Sequence, residues 1–471
     1  MFNRILIFLV NCSYQDVSNI TDIIVKIVGL PTAIAAVITL IIRLLNSHKE
    51  RRKEAFKKRL QKVDTVRSTS TIENEKIYKE MYGEKLAPSY GLIIDKNWPI
   101  YGDDKIKIDC LQDMILLSDI KTEVSNLDKE IKIPSLKIYP NHNKHTKNQN
   151  EQNYVENLIK YGDRKTYLFN GKLYAAKDIV KDGNKVKFLV HRTDYYSFLN
   201  TCKALELLYE TKEKKQKFEI DILDLTNRYV GIGINCLTVI KNVRKRTDPT
   251  KKRNYFLIHS RSDKIIESPN KVHVVPAGSY QPITSIDSIN QNNTASSEFN
   301  RNMENTVYRE FCEEILNTNH ANEINSFRLL TESNDYQFCK KFLKVYYIGA
   351  GIEPYNTKME ILALGVIDID EIVKEKDSDL IKAFIDEHKV VNNVKKALAA
   401  NEKLEDKINL DLLSSIITRK DEVVDYQSIE GEIKFEKLSR AMFEQYYSHN
   451  HITPSGKEIF GFMYEHYDKL F

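Results

Sequence analysis

The run Arg309-Glu310-Phe311-Cys312-Glu313-Glu314 concentrates residues able to do chemistry. Read as a helix, it sets Glu310, Glu313 and Glu314 at i, i+3 and i+4, so the three carboxylates share one face. Met303, Val307, Phe311 and Ile315 form a bordering apolar stripe that would hold this helix on a core. Three clustered carboxylates repel one another unless a cation sits among them. Their hard oxygens suit Mg²⁺ or Mn²⁺, which commonly also bind phosphate oxygens. Without a cation, the same run reads as a solvated acidic face of a surface helix.

Other stretches carry weaker signals. Arg192-Thr193-Asp194-Tyr195-Tyr196 reads first as a structural corner, although Arg192 and Tyr195 have the chemistry to pair with a phosphate and stack on a base. Lys241–Arg253 (KNVRKRTDPTKKR) reads as a basic loop that could meet phosphates or as a solvated hairpin tip. Glu353 and Glu360 could add a ligand or a base. His142, His145 and His191 have no acidic or cysteine partner at ligand spacing and are expected to be solvated. Six scattered cysteines without a CxxC pair argue against a zinc site or a disulfide scaffold and for a reducing compartment.

The elements that must position the carboxylates come next. Tyr229–Ile240 and Asn254–Ser260 read as strands, followed by Val272–Gly278, a strand ending in a Pro-Ala-Gly turn. Residues 342–348 and 361–367 continue the strand pattern. This order, with the acidic helix after the glycine, resembles the Nudix superfamily. Its signature places a glycine, five residues, a glutamate and seven residues before Arg-Glu-apolar-x-Glu-Glu-x-Gly-apolar. Gly278 matches the opening glycine, and Arg309, Glu310, Phe311, Glu313 and Glu314 match the core of the box. The departures are plain. Thirty residues, 279–308, separate glycine from arginine where the family has thirteen; Arg301 stands where the early glutamate belongs, with Glu298 or Glu304 as substitutes; and Leu316 replaces the late glycine. The resemblance covers residues 219–380. It implies that Glu310, Glu313 and Glu314 hold Mg²⁺ or Mn²⁺, that Glu313, Glu314 and Arg309 are the catalytic set if the site is active, and that Gly278 lines a ligand site.

The remainder of the chain sets the context. At 471 residues it is long enough for two to four domains, and a formal charge of +5 does not point to an extended nucleic-acid surface. Residues 1–22 are a short N-terminal segment without a signal-peptide cleavage pattern. Ile23–Leu45 is the second landmark, uncharged from Ile27 to Ile42. As a helix it spans roughly 34 Å, enough for a hydrocarbon core of about 30 Å; the alternative is a buried helix of a globular domain. Gly29, Ala33, Ala35 and Ala36 permit close helix approach. A basic juxtamembrane segment, 46–64, carries Lys49, Arg51, Arg52, Lys53, Lys57, Lys58, Arg59 and Lys62, which predicts a cytoplasmic side, an outside N-terminus and contact with anionic lipid. Residues 65–215 read as a middle α+β domain, with strands at 165–169, 172–176 and 185–190 and with Arg192–Tyr196 leading into a helix that ends near Leu208. Residues 216–380 form the Nudix-like domain, and 381–471 read as C-terminal helices.

The fold expected is α+β: one N-terminal transmembrane helix, then a cytosolic α/β region containing a Nudix-like mixed-sheet α/β/α sandwich. This layout resembles the transmembrane-Nudix effectors of CBASS, bacterial anti-phage systems built on cyclic-oligonucleotide signals. The resemblance implies a cyclic-nucleotide ligand, homo-oligomerisation on activation, inner-membrane localisation and growth arrest through membrane damage, with no binding of nucleic-acid polymers. The alternative is a membrane-anchored Mg²⁺-dependent Nudix hydrolase of a nucleoside diphosphate derivative.

Overall fold

The computed structural model describes residues 50–51, 54, 58, 82–99, 108–125, 131, 154–161, 170–182, 185–205, 221–245, 248–261, 271–282, 299–316, 327–354, 356–375, 378–387, 431–449 and 451–471. The span expected at 23–45, most of the basic segment, the strand expected at 165–169 and, of the expected C-terminal helices, residues 388–430 lie outside these residues. Among the described residues no helix is long and apolar enough to cross a membrane. The chain divides into two compact units, Met1–Lys62 with Ser135–Tyr167, and Val63–Pro134 with Leu168–Phe471. Helix α1 (Tyr154–Tyr161) belongs to the first. The domain boundaries expected at 215/216 and 380/381 fall inside the second.

The second unit is mixed α/β, with two mixed sheets. The smaller has the order β1-β3-β2, from β1 (Lys121–Val124), β2 (Lys172–Asp182) and β3 (Lys185–Asp194), β1 parallel and β2 antiparallel to β3. The larger has the order β10-β5-β4-β9-β8. Its strands are β4 (Ile232–Lys245), β5 (Asp248–Arg261), β8 (Leu343–Ile352), β9 (Met359–Asp368) and β10 (Gly431–Lys437), with β6 (Val272–Val274) on β5 and β7 (Ala277–Ser279) on β4. Only β4 and β9 run parallel; the other pairs are antiparallel. β8 and β9 are almost wholly buried, so their sequences read as apolar runs on both faces. The sheets meet where Ala175 bridges Gly231 and the Tyr174 N–H donates to the Tyr280 carbonyl.

Helices cover both faces of the larger sheet. On one face lie α3 (Glu304–Glu314) and α5 (Asn334–Phe342), following α2 (Tyr195–Phe198) and α4 (Phe327–Glu332) in the chain. Ser333 caps α5 by accepting from the Tyr336 N–H, and Phe338 of α5 stacks at 4.0 Å on Phe384 of α7 (Asp379–Glu387), which follows α6 (Ile369–Lys374). On the other face, Phe256 of β5 packs against Phe443, Tyr446 and Phe460 of α8 (Arg440–Tyr447) and α9 (Pro454–Glu465). Burying each such ring contributes about 1.5–3 kcal/mol. Thr453 caps α9, with Pro454 in its first turn, and α10 (Tyr467–Leu470) closes the chain. α9 is tied to a distant segment: one Glu458 carboxylate oxygen accepts from the N–H groups of Tyr90, Gly91 and Leu92 at 2.7, 2.8 and 3.3 Å.

Two expectations need correction. The region after Ile372 is not all helical, because residues 431–437 form β10 on the edge of β5. Its charged residues hide the two-residue alternation of Ile433 and Phe435. Val272–Gly278 is two short strands rather than one, divided at a cis Val275–Pro276 bond. The stretch Arg192–Tyr196 leads into helical turns as expected: Asp194 caps the four-residue α2 through the Ser197 N–H, and a π-turn follows at Leu199–Lys203.

Candidate site on the carboxylate helix

The acidic run is the C-terminal half of α3. Val307, Phe311 and Cys312 are buried along its core side, with Ile315 just beyond its end. This apolar stripe leaves Glu310, Glu313 and Glu314 facing the open edge of β7. One edge of β7 is paired to β4, with Gly278 opposite Ile234. The other is closed by side chains of α3. The Ala277 N–H donates to Glu314 Oε2 at 2.9 Å, and the Arg309 guanidinium donates to the Ser279 carbonyl at 3.2 Å and the Gln281 carbonyl at 3.5 Å.

Gly278 makes the close approach possible. A Cβ there would lie 2.5 Å from Glu310 Cγ and closer still to the carboxyl group, a separation real Cβ atoms do not show. The Gly278 backbone lies outside the left-handed region, so its role is space rather than conformational freedom. Glu310 lies across the strand and accepts from Arg309 Nη2 at 2.6 Å; Arg309 Nε stands 3.6 Å from Glu313 Oε1. Arg309 is 4% exposed. Burial opposes its charge, but Glu310 and Glu313 outweigh that and hold the guanidinium protonated. Its Nε–H has no hydrogen-bond partner. Thus Gly278, Arg309, Glu310, Glu313 and Glu314, singled out from the sequence, converge at one strand edge.

Other candidates fall elsewhere. Glu304 opens α3, and at about 100° per residue it lies on another side of the helix from Glu310. Burial raises its carboxyl to about 7, against a lowering hydrogen bond from Tyr308. Glu298 is outside the described residues. The Cys312 thiol is pushed well up by burial and by Cys339, whose sulfur is 3.9 Å away, so it is a packing group rather than a nucleophile. Arg192 on β3 is register partner to Tyr174 on β2, and the Tyr174 ring lies 4.8 Å from that of Tyr280, the residue after β7. Tyr195 packs its ring toward Phe198 at 5.9 Å. His191, expected to be solvated, is 1% exposed, and burial lowers it to about 4 with the Lys177 charge as a second cause.

A polar cluster lies on the opposite face of β4. Gly233 faces Glu360 across the β4–β9 pairing, and Glu360 accepts from Asn235 Nδ2 at 2.6 Å and pairs with Lys358 at 3.6 Å, all buried. A Cβ at Gly233 would meet Glu360 Cδ at 2.9 Å and Lys358 Cε at 3.0 Å. The sequence marked Glu360 but not Asn235 or Lys358. Their signal was the two-residue spacing, Gly233-x-Asn235 and Lys358-x-Glu360, which puts each pair on one face of a strand.

The carboxylates of α3 are hard oxygen donors of the kind a divalent cation takes, and the space at Gly278 lets one of them lie on the strand. Among the described residues no group of three or more His, Cys, Asp or Glu side chains is gathered closely enough to hold a metal ion. The counter-cation among these carboxylates is Arg309. No protein-family model matches the chain, nor does any curated protein.

Proposed function

We propose that this chain is a membrane-anchored effector that binds a cyclic nucleotide at a Nudix-like site and responds by self-association and damage to the membrane, in the manner of a CBASS transmembrane-Nudix protein. The observation that carries the reading is the convergence of Glu310, Glu313 and Glu314 with Arg309 on the edge of β7 at Gly278. Such an edge suits a polyanion bridged by a cation. Glu310, Glu313 and Glu314 would hold Mg²⁺ or Mn²⁺. The metal would supply charge neutralisation of the phosphates. The span at 23–45 would place the protein in the bacterial inner membrane, N-terminus outside. A ligand that favours the assembled state would cluster the spans.

A second reading, a membrane-anchored hydrolase of a nucleoside diphosphate derivative, is favoured by the Arg309 ion pairs with Glu310 and Glu313, which would orient carboxylates as a catalytic site requires. One experiment separates the two. The full-length chain in detergent is incubated with Mg²⁺ and a panel of cyclic di- and trinucleotides and nucleoside diphosphate derivatives, with binding followed by thermal shift and products by chromatography. A cyclic nucleotide bound and recovered intact supports the effector. Turnover abolished in Glu313→Gln overturns it in favour of the hydrolase, and turnover that survives this substitution removes the catalytic role given to Glu313.

A further inference from the structure

Residues 241–253 hold Lys241, Arg244, Lys245, Arg246, Lys251, Lys252 and Arg253 against one acidic residue, Asp248. Seven basic residues less one acidic leave a surplus of six, more than the formal +5 of the whole chain. The structure makes most of this stretch a ribbon rather than a loop. β4 has its last partner on β9 at Lys241, opposite Asp368, and β5 has its first partner on β10 at Tyr255, opposite Lys437. Beyond those points, among the described residues, β4 and β5 pair only with each other, Val243 opposite Arg253 and Arg244 opposite Lys252.

The root of the ribbon is fastened. Asn242, at φ 61°, donates its N–H to Asn254 Oδ1 at 3.0 Å and its Nδ2 to Asp368 Oδ1 at 2.8 Å. Lys252 pairs with Asp370 of α6, and Lys241 Nζ stands 6.0 Å from the centre of the Phe471 ring. Those two cations are answered within the chain. The other five follow along the ribbon or, for Arg246, between its strands in the sequence. On β4, residues 242–245 carry the ribbon roughly 13 Å beyond the sheet.

Shape and composition choose the partner. No large aliphatic or aromatic residue lies in 244–253, so the ribbon has nothing to insert into a bilayer and no platform for single-stranded bases. By register Arg244 shares the face of Lys252, and Arg253, which is exposed, stands on the other. Cations on both faces suit a cleft walled by phosphates on two sides better than a flat charged surface. The major groove of B-DNA is such a cleft, about 12 Å wide and about 8.5 Å deep, and admits a two-stranded ribbon. The corresponding groove of duplex RNA is too narrow.

We propose that the β4–β5 ribbon is an arm that docks in the major groove of double-stranded DNA, with Arg244, Lys245, Arg246, Lys251 and Arg253 neutralising backbone phosphates. The arm stands apart from the nucleotide reading of the α3 site and adds a polymer that the family resemblance does not imply. Contacts of this kind set affinity rather than sequence preference.

The test is fluorescence anisotropy of a labelled DNA duplex of about 20 base pairs, titrated with the full-length chain in detergent from about 50 to about 200 mM salt. Five neutralised phosphates contribute about −4.5 to the slope of log affinity on log salt. Arg244→Gln, Lys245→Gln, Lys251→Gln and Arg253→Gln combined should flatten that slope by about 3.6 and weaken binding a hundredfold or more at the lowest salt. Arg253→Gln by itself, at an exposed site, should flatten it by about 0.9, and Arg253→Lys should restore it. Unchanged melting curves verify that these variants fold. Lys49→Gln, Arg51→Gln, Arg52→Gln and Lys53→Gln combined, in the basic segment, should leave most of the affinity in place. Wild-type protein that binds no duplex, ribbon variants that bind as wild type does, or affinity lost with the basic segment instead would each refute the arm. Equal or tighter binding of a single strand or an RNA duplex of the same length would refute groove docking. Cyclic-nucleotide binding is scored separately, and its absence would remove the nucleotide reading while leaving the arm.

Discussion

Gly278→Ala tests whether the carboxylate arrangement depends on one missing Cβ. The new methyl would fall 2.5 Å from Glu310 Cγ, too deep along the side chain to be relieved by rotating the carboxylate alone. Glu310 must leave its rotamer and with it the 2.6 Å bond to Arg309, which is 4% exposed. Breaking a buried ion pair costs about 3–5 kcal/mol. Glu313, 3.6 Å from Arg309 Nε, can recover part of this, which leaves about 2–3 kcal/mol. In a unit of this size that is a fall in Tm of roughly 2–4 °C. The assay is thermal and urea unfolding of Gly278→Ala, Glu310→Ala and the double variant. With Glu310 already cut back to alanine, the glycine substitution should cost little, so the cycle should show coupling of about 2 kcal/mol. Gly83→Ala is the contrast, because Gly83 has φ +48° and open space around it, so any penalty there is conformational. A Gly278→Ala cost that is the same with and without Glu310, or below about 1 kcal/mol alone, would refute the steric account.

Three further predictions concern buried titratable and hydrogen-bonded groups. Glu304, raised to about 7 by burial, binds its proton in the folded state before the unfolded state does, so it adds stability as pH falls from 7 towards 4.5. Glu304→Gln should therefore gain about 1–2 kcal/mol at pH 8, discounted for its partial exposure, and less at pH 5, read by urea unfolding at the two values. His191, lowered to about 4, acts with the opposite sign: the unfolded state takes up a proton from 6.5 downwards while the fold resists, so up to about 3 kcal/mol is lost between pH 6.5 and 4. Neither ring nitrogen has a hydrogen-bond partner, so His191→Leu should be neutral or stabilising at pH 7 and should flatten the acid limb; a steeper limb would contradict this. Glu458→Ala should cost about 3–5 kcal/mol by stranding the N–H groups of Tyr90, Gly91 and Leu92, with Glu458→Gln in between, and hydrogen exchange at those three amides should rise first.

Local patterns in the sequence led to the elements and only partly to their neighbours. The helix at 304–314 and the strands around Ile234, Leu257, Tyr347 and Leu364 follow from apolar periodicity, which is a property of the segment itself. The grouping of Gly278 with Glu310 was legible through the spacing of the acidic run and its place after a glycine. What was hidden depended on pairing between distant segments. β10 reads as charged because it is an edge strand, and only the ladder to β5 shows which residues lie inward. His191 looked solvated because nothing nearby in sequence shows that both faces of β3 are covered at its end.

Arg309 also decides how the two readings of the α3 site can be separated. A general base must present a carboxylate oxygen to a water beside the scissile bond. Glu310 is turned onto Gly278 and Arg309, and Glu314 is turned onto the Ala277 N–H. Glu313 has a side-chain exposure of 35%, against 12% for Glu310, and stands beyond hydrogen-bond distance of the Arg309 Nε–H. The hydrolase reading must therefore load its base on Glu313, whereas the effector reading needs Glu313 only for charge. Glu313→Gln keeps the shape and removes the charge. An effector would lose affinity in proportion to Mg²⁺ dependence and show no product before or after the change. A hydrolase would keep much of its ligand affinity through Glu310, Glu314 and Arg309 and lose turnover by two orders of magnitude or so. The ratio of lost affinity to lost turnover in this one variant thus separates the functions by their chemistry, independently of which nucleotide is found to bind.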